Sequence, residues 1–211
     1  AGNDTLRGGL DNDTLTGGAG NDYLDGGENG TSTGAGDYAN YSDITTGGVS
    51  VNLGLTTAQD TINAGTDTLI NIENLIGSSF DDTLQGSSSD NTLLGGSGND
   101  TLVSNGSSVL GYDYIDGGSG TDDLLSFKSE TQSVTVDLSD TDVQDTGAGN
   151  IQIKNIENLE GGSSNDTLYG SLKDNEIYGL AGNDTLYGLA GSDSLYGGDD
   201  SDTLFGGTGN D

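Results

Sequence analysis

The chain has 211 residues and a formal net charge of −31 at pH 7, from 35 acidic and 4 basic side chains. This surface repels nucleic acid and anionic membranes, and a compact state repels itself unless cations are supplied. Cysteine and histidine are absent, which excludes disulfides and thiolate or imidazole metal sites, but oxygen ligands for hard cations are abundant. No apolar run is long enough to span a bilayer, so we expect no membrane insertion. The negative charge of the surface leads us to expect no nucleic-acid binding either.

A nonapeptide of the form G-G-x-G-x-D-x-U-x, with U apolar, recurs along the chain. It is complete in GGAGNDYLD at Gly17, GGSGNDTLV at Gly95 and GGSGTDDLL at Gly117. From Gly161 the units GGSSNDTLY, GSLKDNEIY, GLAGNDTLY, GLAGSDSLY, GGDDSDTLF and GGTGND follow in unbroken phase. Repeats of this kind indicate a solenoid in which each unit buries its apolar face only against its neighbours.

A longer repeat overlies the nonapeptides. NIENLIGSSFDDTL at Asn71 matches NIENLEGGSSNDTL at Asn155, and the alternating segments VSVNL at Val49 and VTVDL at Val134 each predict a half-buried strand. We therefore predict an N-terminal array over 1–33, a first module over 34–116 and a second module over 117–211. Between Asp100 and Asp113 the unit is longer than nine residues, and we expect SNGSSVLG to form a loop there.

One unit contains a short strand and a turn. In x-U-x, extended residues place the apolar side chain on one face and its neighbours on the other. In G-G-x-G-x-D, glycines allow positive φ and close backbone approach, so the chain reverses direction. The sequence predicts an all-β, right-handed parallel β-roll or β-solenoid with two longer strand-rich segments. One apolar side chain in nine residues makes a core that is too thin to stabilise the fold by itself. The stacked carboxylates of the turns, together with loop carbonyls, form a set of oxygen ligands that suits calcium. Calcium binding then drives folding.

The units resemble the calcium-binding nonapeptides of the RTX (repeats-in-toxin) family, and GDYANYS at Gly36 and NIENL resemble the segments between RTX arrays. The resemblance implies a parallel β-roll in a bacterial protein that is exported by type I secretion and folds outside the cell on binding several Ca²⁺ ions. It also implies that the motif aspartates and the carbonyls of flanking glycines are the ligands. These are Asp4, Asp13, Asp22, Asp82, Asp100, Asp113, Asp122, Asp166, Asp184, Asp193, Asp202 and Asp211, with Gly18, Gly20, Gly96, Gly98, Gly118, Gly120, Gly182, Gly191, Gly207 and Gly209.

Two units carry an amide at the acid position, Asn91 and Asn175, and we expect weaker sites there. Loops of every second unit stack on one edge of the roll. We therefore expect the carboxylate neighbours to be Asp4 with Asp22, Asp82 with Asp100, Asp166 with Asp184 and Asp202, and Asp193 with Asp211.

Aromatic residues end successive units of the last array: Tyr169, Tyr178, Tyr187, Tyr196 and Phe205. We predict two exposed ladders, one of Tyr169, Tyr187 and Phe205 and one of Tyr178 and Tyr196, formed by stacking between neighbouring strands. The alternative is a face that binds polysaccharide or a second copy of the protein, since rows of aromatics mark interaction surfaces.

The function predicted from the sequence is that of a calcium-binding, extracellular structural segment without catalytic activity. No histidine or cysteine is available to activate a nucleophile, and the acid pairs are spaced for metal. A calcium-stiffened adhesin-like or filament-like module, or a non-catalytic appendage of a secreted enzyme, remain as alternatives.

Overall fold

A computed structural model describes residues 1–29, 36–105 and 111–211. These residues form 22 short β-strands, and no helix among them is long and apolar enough to cross a membrane. In chain order the strands are β1 (Thr5–Leu10), β2 (Thr14–Leu15), β3 (Tyr23–Glu28), β4 (Tyr38–Asn40), β5 (Ser50–Asn52), β6 (Gln59–Asp60), β7 (Thr66–Ile70), β8 (Asn74–Ile76), β9 (Thr83–Gln85), β10 (Thr92–Ser97), β11 (Thr101–Val103), β12 (Tyr112–Ser119), β13 (Leu124–Ser126), β14 (Thr135–Asp137), β15 (Gln144–Asp145), β16 (Asn150–Lys154), β17 (Asn158–Glu160), β18 (Thr167–Tyr169), β19 (Glu176–Ala181), β20 (Thr185–Ala190), β21 (Ser194–Asp199) and β22 (Thr203–Thr208).

In the middle of the roll, the apolar residue of a repeat lies within a strand and points into the core. Leu168 in β18 and Leu186 in β20 are fully buried, whereas the tyrosines that follow them lie on the opposite face. β18, β20 and β22 pair in parallel with equivalent repeat positions side by side. Neighbouring strands of one sheet are thus two nonapeptides apart, which confirms the parallel β-roll.

Four sheets form two facing layers. One layer contains the sheet β1-β3-β7-β6 and the sheet β21-β19-β17-β13-β11-β9-β5, and the other contains β15-β16-β12-β10-β8-β4-β2 and β14-β18-β20-β22. Consecutive repeats alternate between the layers, so two repeats complete one coil. A single core runs between the layers from Leu15 to Leu186.

In each module a β-hairpin lies at the end of one sheet, and the strand before the hairpin starts a new sheet. β5, which lies within VSVNL, pairs in parallel with β9. β6 and β7 pair antiparallel and form the hairpin. In the second module β14, from VTVDL, pairs with β18, and β15 lies antiparallel to β16. Both predicted alternating strands are therefore confirmed. The two hairpins lie in opposite layers because an odd number of layer crossings separates β5 from β14.

The described part of the core continues through all three predicted segments. The predicted boundary between 33 and 34 and most of the expected SNGSSVLG loop lie outside the described residues. The boundary at Gly117 falls within β12, which pairs with β10 on one side and β16 on the other. The described parts of the three segments share one core.

The aromatic ladders are confirmed. The ring centroids of Tyr169 and Tyr187 are 4.6 Å apart, those of Tyr187 and Phe205 are 4.9 Å apart, and those of Tyr178 and Tyr196 are 4.8 Å apart, with planes within 9° of parallel. Within a ladder, neighbouring rings cover one another's facing sides. This geometry favours packing between neighbouring strands over a platform on which sugar rings could stack.

Candidate metal centres

The acidic residues of successive turns form stacked columns along the edges of the roll. In a column, the backbone N–H of one acidic residue donates to a carboxylate oxygen of the acidic residue in the adjacent turn. Asp82 N–H donates to Asp100 Oδ1 at 2.8 Å, and Asp166 N–H donates to Asp184 Oδ1 at 2.8 Å. Each of these carboxylates thus accepts a hydrogen bond from the turn two nonapeptides away, which is its neighbour in the column.

All the predicted carboxylate neighbours are adjacent in these columns. The columns are Asp4–Asp22–Asp67, Asp13–Asp37–Glu73, Asp82–Asp100–Asp123–Glu157, Asn91–Asp113, Asn175–Asp193–Asp211 and Asp166–Asp184–Asp202.

Asp123, and not Asp122, occupies the acid position of the unit that begins at Gly117. Asp123 is fully buried and its Oδ1 accepts the N–H of Asp100 at 2.7 Å, whereas Asp122 is exposed. The turn contains one extra residue, so Leu125 rather than Leu124 enters the core. This corrects the position predicted from the motif spacing.

Four further members of the columns were missed by the sequence reasoning: Asp37, Asp67, Glu73 and Glu157. None has the glycine-rich turn of the full motif in front of it. Each does stand two residues before an inward-pointing apolar residue, as in DYA, DTL and ENL. An acidic residue followed by x-U is therefore the local signal that could have found them.

The second carboxylate oxygen divides the turns into two kinds. In one kind, Oδ2 is buried and has no hydrogen-bond partner among the described residues. Seven aspartates have such an unpartnered oxygen: Asp13, Asp22, Asp37, Asp100, Asp123, Asp184 and Asp193. An unpaired buried carboxylate oxygen is costly, so each of these turns fits a cation that binds there.

In the other kind of turn, the corresponding side-chain oxygen already accepts a hydrogen bond from the protein. Gly162 N–H donates to Asp166 Oδ2 at 2.6 Å, and Ser78 N–H donates to Asp82 Oδ2. At Asn91 and Asn175, Oδ1 accepts the N–H of the serine four residues earlier, and Nδ2 donates to the carbonyl oxygen of Glu73 or Glu157. These turns close through hydrogen bonds of the chain itself.

Two other aspartates of the columns also accept hydrogen bonds from side chains of the protein. Asp67 Oδ2 accepts from the hydroxyls of Tyr41 and Thr61 at 3.2 and 3.1 Å. Asp113 is hydrogen-bonded by the side chain of Ser104.

The backbone path before the turn explains the difference. Before Asp100, Asp184 and Asp193, a six-residue strand continues through the second position of the unit, where Gly96, Leu180 and Leu189 have positive φ. Before Asp82 and Asp166 the strand has only three residues. The N–H of the second position then turns inward and reaches the carboxylate.

Carbonyl oxygens of adjacent turns lie beside these carboxylates: a Cβ atom at Gly95 would lie within 2.5 Å of both Asp100 Oδ2 and the Gly117 carbonyl oxygen. At Gly118, whose φ is 100°, a Cβ atom would occupy the place of the Gly96 carbonyl oxygen in the adjacent turn, so only glycine allows the turns to stack. The same close approach of a neighbouring backbone is found at Gly20, Gly96, Gly98, Gly120, Gly182, Gly191, Gly207 and Gly209 of the predicted set. Gly18 has a φ of 81° and has the backbone nitrogen of Ala1 as its nearest neighbour.

Burial makes the charged carboxylates unfavourable without a counter-ion. Burial raises the pKa of Asp100 to about 7, and the hydrogen bond from Asp82 N–H, which lowers this pKa, offsets only part of the rise. Burial also raises the pKa of Asp113 to about 6. Burial is also the main cause that raises the pKa of Asp37, Asp82, Asp123, Asp166, Asp184 and Asp193. A bound cation would favour the charged form and reverse this shift.

The described residues contain no cluster of three or more acidic side chains with metal-binding geometry. Each turn therefore offers carboxylates from one column together with carbonyl oxygens. Such an all-oxygen donor set, without nitrogen or sulfur, suits a hard cation and fits Ca²⁺.

The fold and these turns define a parallel β-roll with oxygen-rich sites at its edges. The family model described as RTX calcium-binding nonapeptide repeat (4 copies) matches residues 1–29, 71–106, 110–126, 160–195 and 178–211, which together make up more than half of the chain. The protein belongs to this RTX repeat family, whose repeats bind Ca²⁺, are structural rather than catalytic, and occur in secreted bacterial proteins. No curated protein matches the chain.

Proposed function

We propose that the protein is an extracellular structural segment that folds when Ca²⁺ binds at the turns with an unpartnered carboxylate oxygen. The observation that carries the proposal is the set of seven buried Oδ2 atoms without a hydrogen-bond partner among the described residues. The residues at these sites are Asp13, Asp22, Asp37, Asp100, Asp123, Asp184 and Asp193. The turns of Asp82, Asp166, Asn91 and Asn175 are closed by backbone N–H donors and need no ion.

Calcium binding and folding are one process in this proposal. The carboxylate of one turn and the carbonyls of the next approach each other only when the coils are stacked, so the unfolded chain has no site. Binding free energy therefore becomes folding free energy. With a net charge of −31, the chain stays expanded where free calcium is scarce and becomes compact where calcium is plentiful, as it is outside the cell.

Asp184 and Asp166 provide a matched test in adjacent turns of one column. Both are 1% exposed, but Asp184 Oδ2 is unpartnered among the described residues, and Asp166 Oδ2 accepts the Gly162 N–H. We expect Asp184→Asn to lose one bound Ca²⁺ in native mass spectrometry and in calorimetric titration. Asp166→Asn should keep the wild-type number. Equal losses in the two variants would contradict the assignment of sites.

A further inference from the structure

One turn of the roll contains a positive charge of its own. Lys173 Nζ lies 2.7 Å from Glu157 Oε1, and the Glu157 side chain is only 8% exposed. The other oxygen, Oε2, accepts the Asp123 N–H at 3.3 Å, as the acid of a column does elsewhere. Both oxygens of this buried carboxylate are therefore paired, one with the neighbouring turn and one with an ammonium group.

Lys173 stands at the fourth position of the unit GSLKDNEIY, where the motif has its third glycine. Its backbone still behaves as the glycine does, because the Lys173 carbonyl oxygen lies against Gly191 of the adjacent turn. The same unit has Asn175 in place of the motif aspartate. The change from glycine to lysine adds one positive charge and the change from aspartate to asparagine removes one negative charge, so the net charge of the turn is two units higher, which equals the charge of one Ca²⁺ ion.

The equivalent turn of the first module lacks this lysine. In the longer repeat, Glu73 corresponds to Glu157, Asn91 to Asn175 and Ser89 to Lys173. The amide contact is the same, since Asn91 Nδ2 donates to the Glu73 carbonyl oxygen at 2.7 Å. Glu73 is only partly buried, however, so its charge can be solvated by water.

We propose that the Lys173 ammonium group takes the place of a calcium ion at the Glu157 turn. The inference rests on the proposed function, because it assumes that ions fill the corresponding space in the unpartnered turns. With the lysine in place, the charge of Glu157 is neutralised without metal. This turn therefore needs no ion of its own when calcium folds the rest of the second module.

Lys173→Ser tests the inference, because serine is the residue that the first module has at this position. The variant leaves the buried Glu157 carboxylate without its ammonium partner, so that its Oε1 becomes available to an ion. We expect native mass spectrometry at saturating calcium to show one Ca²⁺ more than in the wild type. At the lowest calcium concentration that keeps the wild type folded, amide hydrogen exchange of peptides covering 155–175 should become at least 10-fold faster.

Lys154→Ser is the matched control. Lys154 also pairs with a carboxylate, Asp116 Oδ2 at 3.4 Å, and its side chain is about as exposed as that of Lys173, 58% against 65%, but Asp116 lies outside the columns. We expect no change in the ion number of this variant. Faster exchange in Lys173→Ser without an added ion would show an ordinary salt bridge and would overturn the inference, as would an unchanged protein. A wild type that binds no calcium would overturn both this inference and the proposed function.

Discussion

Replacing Asp100 by asparagine separates the cost of a buried charge from the benefit of a metal ligand. Asp100 is 1% exposed, its Oδ1 accepts the Asp82 N–H, and its Oδ2 has no partner among the described residues. An amide is tolerated at this position of the repeat, since Asn91 and Asn175 occupy it in other units. The substitution therefore removes the charge with little change in shape.

The magnitude follows from the pKa. Burial raises the pKa of Asp100 from 3.8 to about 7. At about 1.4 kcal/mol per pKa unit, the charged form costs the calcium-free fold at most about 4 kcal/mol above pH 7. Local relaxation and the hydrogen-bonding needs of the amide reduce this, so we expect Asp100→Asn to stabilise the calcium-free protein by about 1 to 3 kcal/mol at pH 8.

The calcium-loaded protein should respond in the opposite direction. Asp100→Asn removes the carboxylate of a proposed site, so the calcium concentration at half-folding should rise about 10-fold or more. Folding in chelator is measured by circular dichroism during titration with trimethylamine N-oxide, and folding by calcium is measured in the same cell without it. Asp122→Asn, an exposed change of equal charge in the adjacent turn, is the control. Destabilisation of the calcium-free protein by Asp100→Asn would refute the reasoning.

Three further predictions follow from the same geometry. Because the folded-state pKa values of Asp100 and Asp113 are raised to about 7 and about 6, the folded state binds more protons than the unfolded chain between about pH 4 and 7. In chelator, the fold should therefore be most stable at the acidic end of this range and lose stability as pH rises to 7, and a stability that rises with pH would contradict the assignment. Gly198→Ala and Gly9→Ala share similar positive φ values, 110° and 116°, but a Cβ at Gly198 meets the Leu180 carbonyl and a Cβ at Gly9 has no atom within 4 Å. Gly9→Ala should cost about 1 to 2 kcal/mol by thermal denaturation in calcium, and Gly198→Ala should cost clearly more. Tyr187→Ser removes two ring stacks and Tyr196→Ser removes one. At about 0.5 to 1.5 kcal/mol per stack, the loss of unfolding free energy should be about twice as large for Tyr187→Ser. Equal losses would show that stacking does not set the cost.

Repeat phase predicted the parallel pairing, the aromatic ladders and the carboxylate neighbours, because a strict nonapeptide places every second unit in the same environment. It could not choose between Asp122 and Asp123. Each is followed two residues later by leucine, and only the packing of Leu125 in the core decides the register. The start of new sheets at β5 and β14 also escaped prediction, since these strands pair with strands far away in sequence.

The division of the turns into two kinds could not be predicted from residue types alone. The donor that fills the second carboxylate oxygen is a backbone N–H, which every residue except proline provides. Ser78 supplies it to Asp82, but Gly162 supplies it to Asp166, although the unit of Asp166 begins with the same two glycines as the unit of Asp100. The path of the backbone before the turn, rather than the motif, distinguishes the two.

A calcium titration of chelator-treated protein at pH 8, followed by far-ultraviolet circular dichroism, tests the central claim most directly. The account predicts a cooperative change from coil to β-structure at or below millimolar calcium, reversed by chelator and not produced by the same concentration of magnesium, which demands smaller and more regular sites. A β-roll spectrum that is already complete in chelator at pH 8, or a coil spectrum that persists at millimolar calcium, would contradict it.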